Sequence, residues 1–149
     1  MTRRTRLPTP HELAQHARQL AQAFGVLLVE SQDILTEHSA VVNGKLVVTG
    51  IIKDELTYAV ALHEIGHCVA PLGAIQRNVP PTAAQALEQE YEAWRWAEHY
   101  ALDWSPTMQH AKQFGLNGYE AAARRELELK LKPRQRETLD AFMKRTGRK

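Results

Sequence analysis

A single cysteine, Cys68, leaves this 149-residue sequence without an internal disulfide framework. A lone thiol fits a reducing compartment. Long apolar runs are also missing. The longest, Tyr58-Ala59-Val60-Ala61-Leu62, falls far short of the ~20 residues that span a membrane. The basic start Met1-Thr2-Arg3-Arg4-Thr5-Arg6 is followed by no apolar signal core, so the expectation is a cytoplasmic protein with no membrane partner. There is no internal repeat, and the composition excludes collagen-like, low-complexity and wholly disordered chains. What remains is an ordinary globular composition, 44% hydrophobic and 24% charged. Length sets the expectation of one domain over 1–149, with a core over about 11–104 and a C-terminal helical extension over about 105–149.

The net charge of +2 hides an uneven distribution. Residues 1–10 carry three arginines and no acid, and residues 124–149 carry ten basic against four acidic residues. Between them, 11–123 hold six basic and thirteen acidic residues. Basic ends around an acidic body suit solubilising termini, or contact with nucleic acid or an acidic partner. The segment from Lys130 to Lys149 has no aromatic interleaving beyond Phe142 and no recognised nucleic-acid module, which favours a docking or structural helix over a nucleic-acid arm.

The periodicity predicts a helix over 11–24, with Leu13, Ala17, Leu20, Ala21 and Phe24 on one face and Gly25 as its stop. A short buried strand follows over 26–30. Ala40-Val41-Val42 and Lys45 to Thr49 flank Asn43-Gly44, a strong hairpin signal. Asp54 is an N-cap for a helix to about Val69, ended by Pro71 and Gly73. Pro80-Pro81-Thr82 closes the next loop, and Thr82 caps a long helix over 83–104. Ser105-Pro106 breaks the chain before a shorter helix to about Phe114. Asn117-Gly118 reads as a turn, followed by a helix over 119–132 and a last one from Pro133 to about Arg145. Helix, small sheet, then helices is an α+β order.

His63-Glu64-Ile65-Gly66-His67 places an H-E-x-x-H motif inside the second predicted helix. Four residues advance a helix by about 400°, so both imidazoles project in nearly one direction, one turn apart. Two histidines and a carboxylate suit Zn²⁺ and leave a position open to water. Glu64 lies beside the pair and is the candidate general base. Leu56, Val60, His63 and His67 share one stripe and Tyr58, Leu62, Ile65 and Val69 another, so the histidines continue a face expected to be buried. His11 and His16 form a decoy: five residues advance the helix by about 500°, and their rings diverge.

The third ligand is expected from the following helix, where the candidates are Glu88, Glu90 and Glu92. Glu90 is the lone carboxylate among Ala83, Ala86, Leu87, Ala93, Trp94, Ala97 and Ala101, a small-residue face that permits close helix approach. A carboxylate there needs compensation such as a cation. Glu88 and Glu92 share a polar stripe with Gln85, His99 and Asp103. Periodicity thus favours Glu90, with Glu92 as the alternative. Cys68 reads as a small buried filler, and Trp94, Trp96 and Trp104 as interhelix packing.

The first motif, followed by Glu90-Tyr91-Glu92-Ala93-Trp94-Arg95-Trp96-Ala97, resembles the ImmA/IrrE-type metallopeptidases of phages, mobile elements and bacteria. Their second motif runs Glu-x-x-Ala-Asn-x-Phe-Ala, and its first Glu, the third zinc ligand, falls on Glu90. Trp94 stands where that family has Asn or Asp, and its Leu-Met-Pro ending is replaced by Tyr100-Ala101-Leu102-Asp103-Trp104. The resemblance covers about 25–104. It implies a zincin-like fold, one Zn²⁺ per chain held by His63, His67 and Glu90, hydrolysis of a peptide bond with Glu64 as base, and a protein substrate such as a repressor. It also implies an edge strand that pairs with extended substrate, for which the hairpin strand 45–49 is the candidate. A second donor to the oxyanion is needed, and His99, Tyr91, Tyr100, Tyr119 and His110 are all open candidates. The alternative is a non-enzymatic zincin-like module that keeps its metal and binds a protein or DNA through its basic ends.

Overall fold

A computed structural model describes residues 6–70, 81–130, 141 and 144–145. Among them the order is α1 (Pro10–Ala23), β1 (Leu27–Ser31), β2 (Ala40–Val42), β3 (Leu46–Gly50), α2 (Glu55–Val69), α3 (Ala83–Tyr100) and α4 (Pro106–Lys130), with a 3-10 turn at Thr36–His38. Among the described residues the architecture is α+β, with four helices and one three-stranded mixed sheet. No described helix is long and apolar enough to cross a membrane.

Local chemistry sets the helix starts. Thr9, Asp54 and Thr82 each accept a hydrogen bond from the N–H three residues on, and the side chains of Glu12, Thr57 and Gln85 return one to the cap backbone. These reciprocal boxes satisfy two otherwise orphaned donors at each helix entry. Gly25, at φ +72°, lets the chain leave α1 in a left-handed conformation. Asn43 and Gly44 both take positive φ, 55° and 68°, as the tight turn between β2 and β3 requires.

The sheet order is β1-β3-β2. β3 pairs in parallel with β1, from Leu27 opposite Leu46 to Ser31 opposite Gly50, and antiparallel with β2, Val41 opposite Val47. The expectation that strand 45–49 is an edge is therefore corrected. β1 occupies its second side, so β3 is central and β1 and β2 are the edge strands, of which β2 lines the cavity described below.

Three helix readings also change. The third helix ends at Tyr100, not 104. The Leu102 N–H, which a continuing helix would spend on the preceding turn, donates to the buried Tyr58 Oη at 2.9 Å. Asn117-Gly118 is not a turn, because α4 runs unbroken through it to Lys130. Met108, Ala111 and Leu116 bury one face of α4 against the core, and Asn117 Oδ1 accepts from Gln113 Nε2 at 3.2 Å along the helix. Tertiary burial here overrides a local turn preference. The histidine stripe of α2 is not buried throughout, since Leu56 is 47% exposed on the side of the first turn opposite Tyr58. Pro71, Gly73, Pro80 and nearly all of the expected 133–145 helix lie outside the described residues.

The main core joins Leu13 and Ala17 of α1, Tyr58, Ala61 and Leu62 of α2, Trp94 and Ala97 of α3, and Met108 and Leu116 of α4. A second cluster of Ala21, Val26, Val47 and Ile65 seats α2 against the sheet. α2 is thus held between helices and sheet, and His63, Glu64 and His67 fall in its C-terminal half.

Candidate metal centre

Helix α2 and helix α3 touch at Gly66 and Ala93. A Cβ on Gly66 would stand 2.6 Å from the Ala93 carbonyl oxygen and 3.1 Å from its Cα. Only glycine permits this approach, since the obstacle is backbone and cannot rotate away. Gly66 lies between His63 and His67, and Ala93 is one turn after Glu90, so this close backbone contact of the two helices sits at the candidate site.

The contact brings three side chains to one point. Glu90, only 6% exposed, sets its Oε1 3.0 Å from His63 Nε2 and its Oε2 2.5 Å from His67 Nε2. The two Nε2 atoms are 3.0 Å apart. His63, His67 and Glu90 form a group able to hold a metal ion, with all ligand atoms within 4.8 Å of one another. A tetrahedral zinc shell with bonds of about 2.0–2.1 Å spaces its ligand atoms by about 3.3 Å. The three atoms need only modest outward shifts to reach it, so the residues fit the ion. Two imidazoles and one carboxylate are also a donor set that suits Zn²⁺.

Electrostatics favour a cation at this point. Burial disfavours charge on His63, but the carboxylates of Glu64 and Glu90 outweigh it and raise its pKa above the ordinary histidine range. Burial likewise opposes ionisation of Glu90, yet His63 and His67 hold its carboxyl well below the usual range. Two carboxylates against two imidazoles leave a negative, largely desolvated pocket.

Glu64 reaches His63 Nδ1 at 3.1 Å and, with His63, His67 and Glu90, lines a cavity of about 380 Å³. Ser39, Ala40 and Val41, leading into and along β2, form one wall. Pro81, Ala86, Gln89 and Tyr119 form another. Of the five candidate oxyanion donors, Tyr119 alone lines this cavity among the described residues. Burial and the charges of Glu90 and Glu64 push its phenol pKa up, which keeps the hydroxyl protonated as a donor.

The other sequence candidates separate cleanly. Glu92 pairs with Arg95 on the outside of α3, away from the histidines. His16 Nδ1 lies 2.7 Å from Tyr58 Oη and serves the core link that ends α3. Cys68 is half-buried, and burial pushes its thiol up to about 11, which makes it a poor nucleophile. Trp96 packs edge-on against Phe24, with ring centroids 5.3 Å apart, and Trp104 Nε1 donates to Gln109 Oε1 at 2.8 Å. Trp94 packs in the core, as its stripe predicts, and also lies parallel on the His63 ring, at 4.1 Å and 15°. The sequence placed it beside Glu90 but held no sign of that stack. No protein-family model, curated protein or solved structure matches the chain.

Proposed function

We propose that this protein is a zinc-dependent, zincin-like metallopeptidase of the ImmA/IrrE type that hydrolyses a peptide bond in a protein substrate, such as a repressor, in the cytoplasm. The observation that carries this reading is the convergence of His63, His67 and Glu90 in one cavity that Glu64 also lines. A zinc ion held by these three residues would acidify an attacking water and polarise the scissile carbonyl. Glu64 takes the proton of that water and delivers it to the leaving amine. Tyr119 donates its hydroxyl proton in a hydrogen bond to the carbonyl oxygen as charge develops there. The free edge of β2 pairs with the extended substrate backbone and lays it across the cavity. An intact Glu64 favours an enzyme, since a purely structural site has no need of a base at that position.

Elemental analysis of the purified wild type beside Glu90→Ala and Glu92→Ala tests the site. About one zinc per chain is expected, lost with Glu90→Ala and kept with Glu92→Ala. Cleavage is then read by mass spectrometry of new N-termini in a pool of denatured bacterial proteins. Glu64→Gln is expected to keep its zinc and lose cleavage. Zinc retained with no cleavage even in the wild type would favour the non-enzymatic binding module.

A further inference from the structure

We infer that Trp94 is a positioning residue, which holds the His63 ring in its ligating orientation by stacking on its face, in addition to the Glu64 contact at its Nδ1. The inference rests on the metal-site reading. The indole lies parallel to the imidazole, with centroids 4.1 Å apart and planes 15° apart, while the His67 ring meets the same imidazole edge-on at 4.5 Å and 72°. His63 is therefore fixed on its face by one ring and at its side by another. In this orientation its Nε2 faces Glu90 and His67, and its Nδ1 faces Glu64.

The usual way to fix a ligating histidine is a hydrogen bond from its other nitrogen to a neighbouring acceptor, and Glu64 Oε1 stands 3.1 Å from His63 Nδ1 in that role, at the ring's edge and not on its face. Trp94 has no acceptor to offer. Its own Nε1 is buried and finds no partner among the described residues, and the same is true of His67 Nδ1. A buried, unpaired indole N–H has a cost.

Helix α4 completes the device. A Cβ on Gly115 would stand 3.3 Å from the indole Cζ2 and 3.5 Å from Nε1, so glycine at this position leaves room for the ring. Trp94 itself is 2% exposed, which leaves it no route of retreat into solvent. The line Gly115, Trp94, His63 thus runs from α4 through α3 to the ligand on α2.

Cobalt(II) binding to the metal-stripped protein tests the inference, since its visible bands report ligand geometry without any substrate. Wild type is expected to bind cobalt with the intense bands of a low-coordinate site. Trp94→Leu is expected to bind about 10-fold or more weakly with altered bands. Trp94→Phe, which restores a stackable ring, is expected to recover most of both. Trp94→Leu that is folded by circular dichroism, yet matches wild type in affinity and spectrum, overturns the inference. Should Trp94→Leu not fold, Gly115→Ala carries the test, because it presses on the indole and leaves every group at the site in place. It is expected to shift the bands in the same sense by a smaller amount, and a spectrum and affinity identical to wild type would overturn the proposal. A wild type that takes up no cobalt or zinc instead removes the metal-site reading itself.

Discussion

Glu90 and Glu92 differ by two positions on one helix, and that displacement of about 200° separates their environments completely. Glu90 is enclosed by two imidazoles, whereas Glu92 neutralises Arg95 at the surface. Tyr119 is a comparable case on α4, because it alone among the described residues of that helix lines the cavity. Replacing Tyr119 by Phe removes one hydroxyl. Its expected effect is a loss of about 10²-fold in kcat with KM and zinc content little changed, the pattern of a donor used in the transition state. Steady-state kinetics on a cleaved peptide checks it, and an unchanged kcat would assign Tyr119 to the cavity wall alone.

At the scale of elements, the crossing of α2 and α3 decides whether a site exists. Gly66→Ala forces a methyl group against the Ala93 backbone. The helices must part, at an expected cost of about 1–3 kcal/mol. Zinc should also raise the melting temperature of this variant less than that of wild type, because the ligands separate with the helices. Thermal unfolding with and without zinc reads both effects. The continuity of α4 leads to the opposite sign at Gly118. Nothing lies within 4 Å of a Cβ there, and its backbone is helical with no positive φ. Gly118→Ala is therefore expected to stabilise the protein by about 0.5–1 kcal/mol, seen as a higher urea midpoint. A turn at Asn117-Gly118 would give a destabilisation instead.

Across the whole molecule, Glu30 ties the sheet to both of its flanks. Its carboxylate accepts from Arg18 Nε of α1 at 2.7 Å and from the Ile52 N–H, ahead of α2, at 3.0 Å. Burial alone would raise this carboxyl, but the arginine and the backbone donor outweigh it and hold the pKa below its ordinary value of 4.5. A carboxyl lowered on folding stabilises the native state above its unfolded pKa, and that contribution fades as pH falls through the native one. Wild type should thus lose stability below about pH 4.5 more steeply than Glu30→Gln. Denaturant midpoints of the two proteins between pH 3 and 7 check this, and parallel curves would show that the Glu30 network carries no pH-dependent stability.

The sequence by itself determined what depends on neighbours along the chain. Asp54 and Thr82 cap helices because an oxygen on a short side chain reaches an N–H three residues on. Asn43-Gly44 turns because both positions accept positive φ. The spacing of His63 and His67, and the apolar company of Glu90, follow from helical periodicity alone. What the tertiary structure decided depends on partners distant in the chain. β1 takes the second side of β3, which leaves β1 and β2 as the sheet's edges. Tyr58 captures Leu102 and shortens α3, while burial of Leu116 carries α4 through Asn117-Gly118. The place of Tyr119 in the cavity and the stack of Trp94 on His63 are set by how three helices cross. Helical periodicity gives the face on which a residue lies, but its neighbours across that face depend on the contact between helices, and here Gly66 sets how closely α2 and α3 meet.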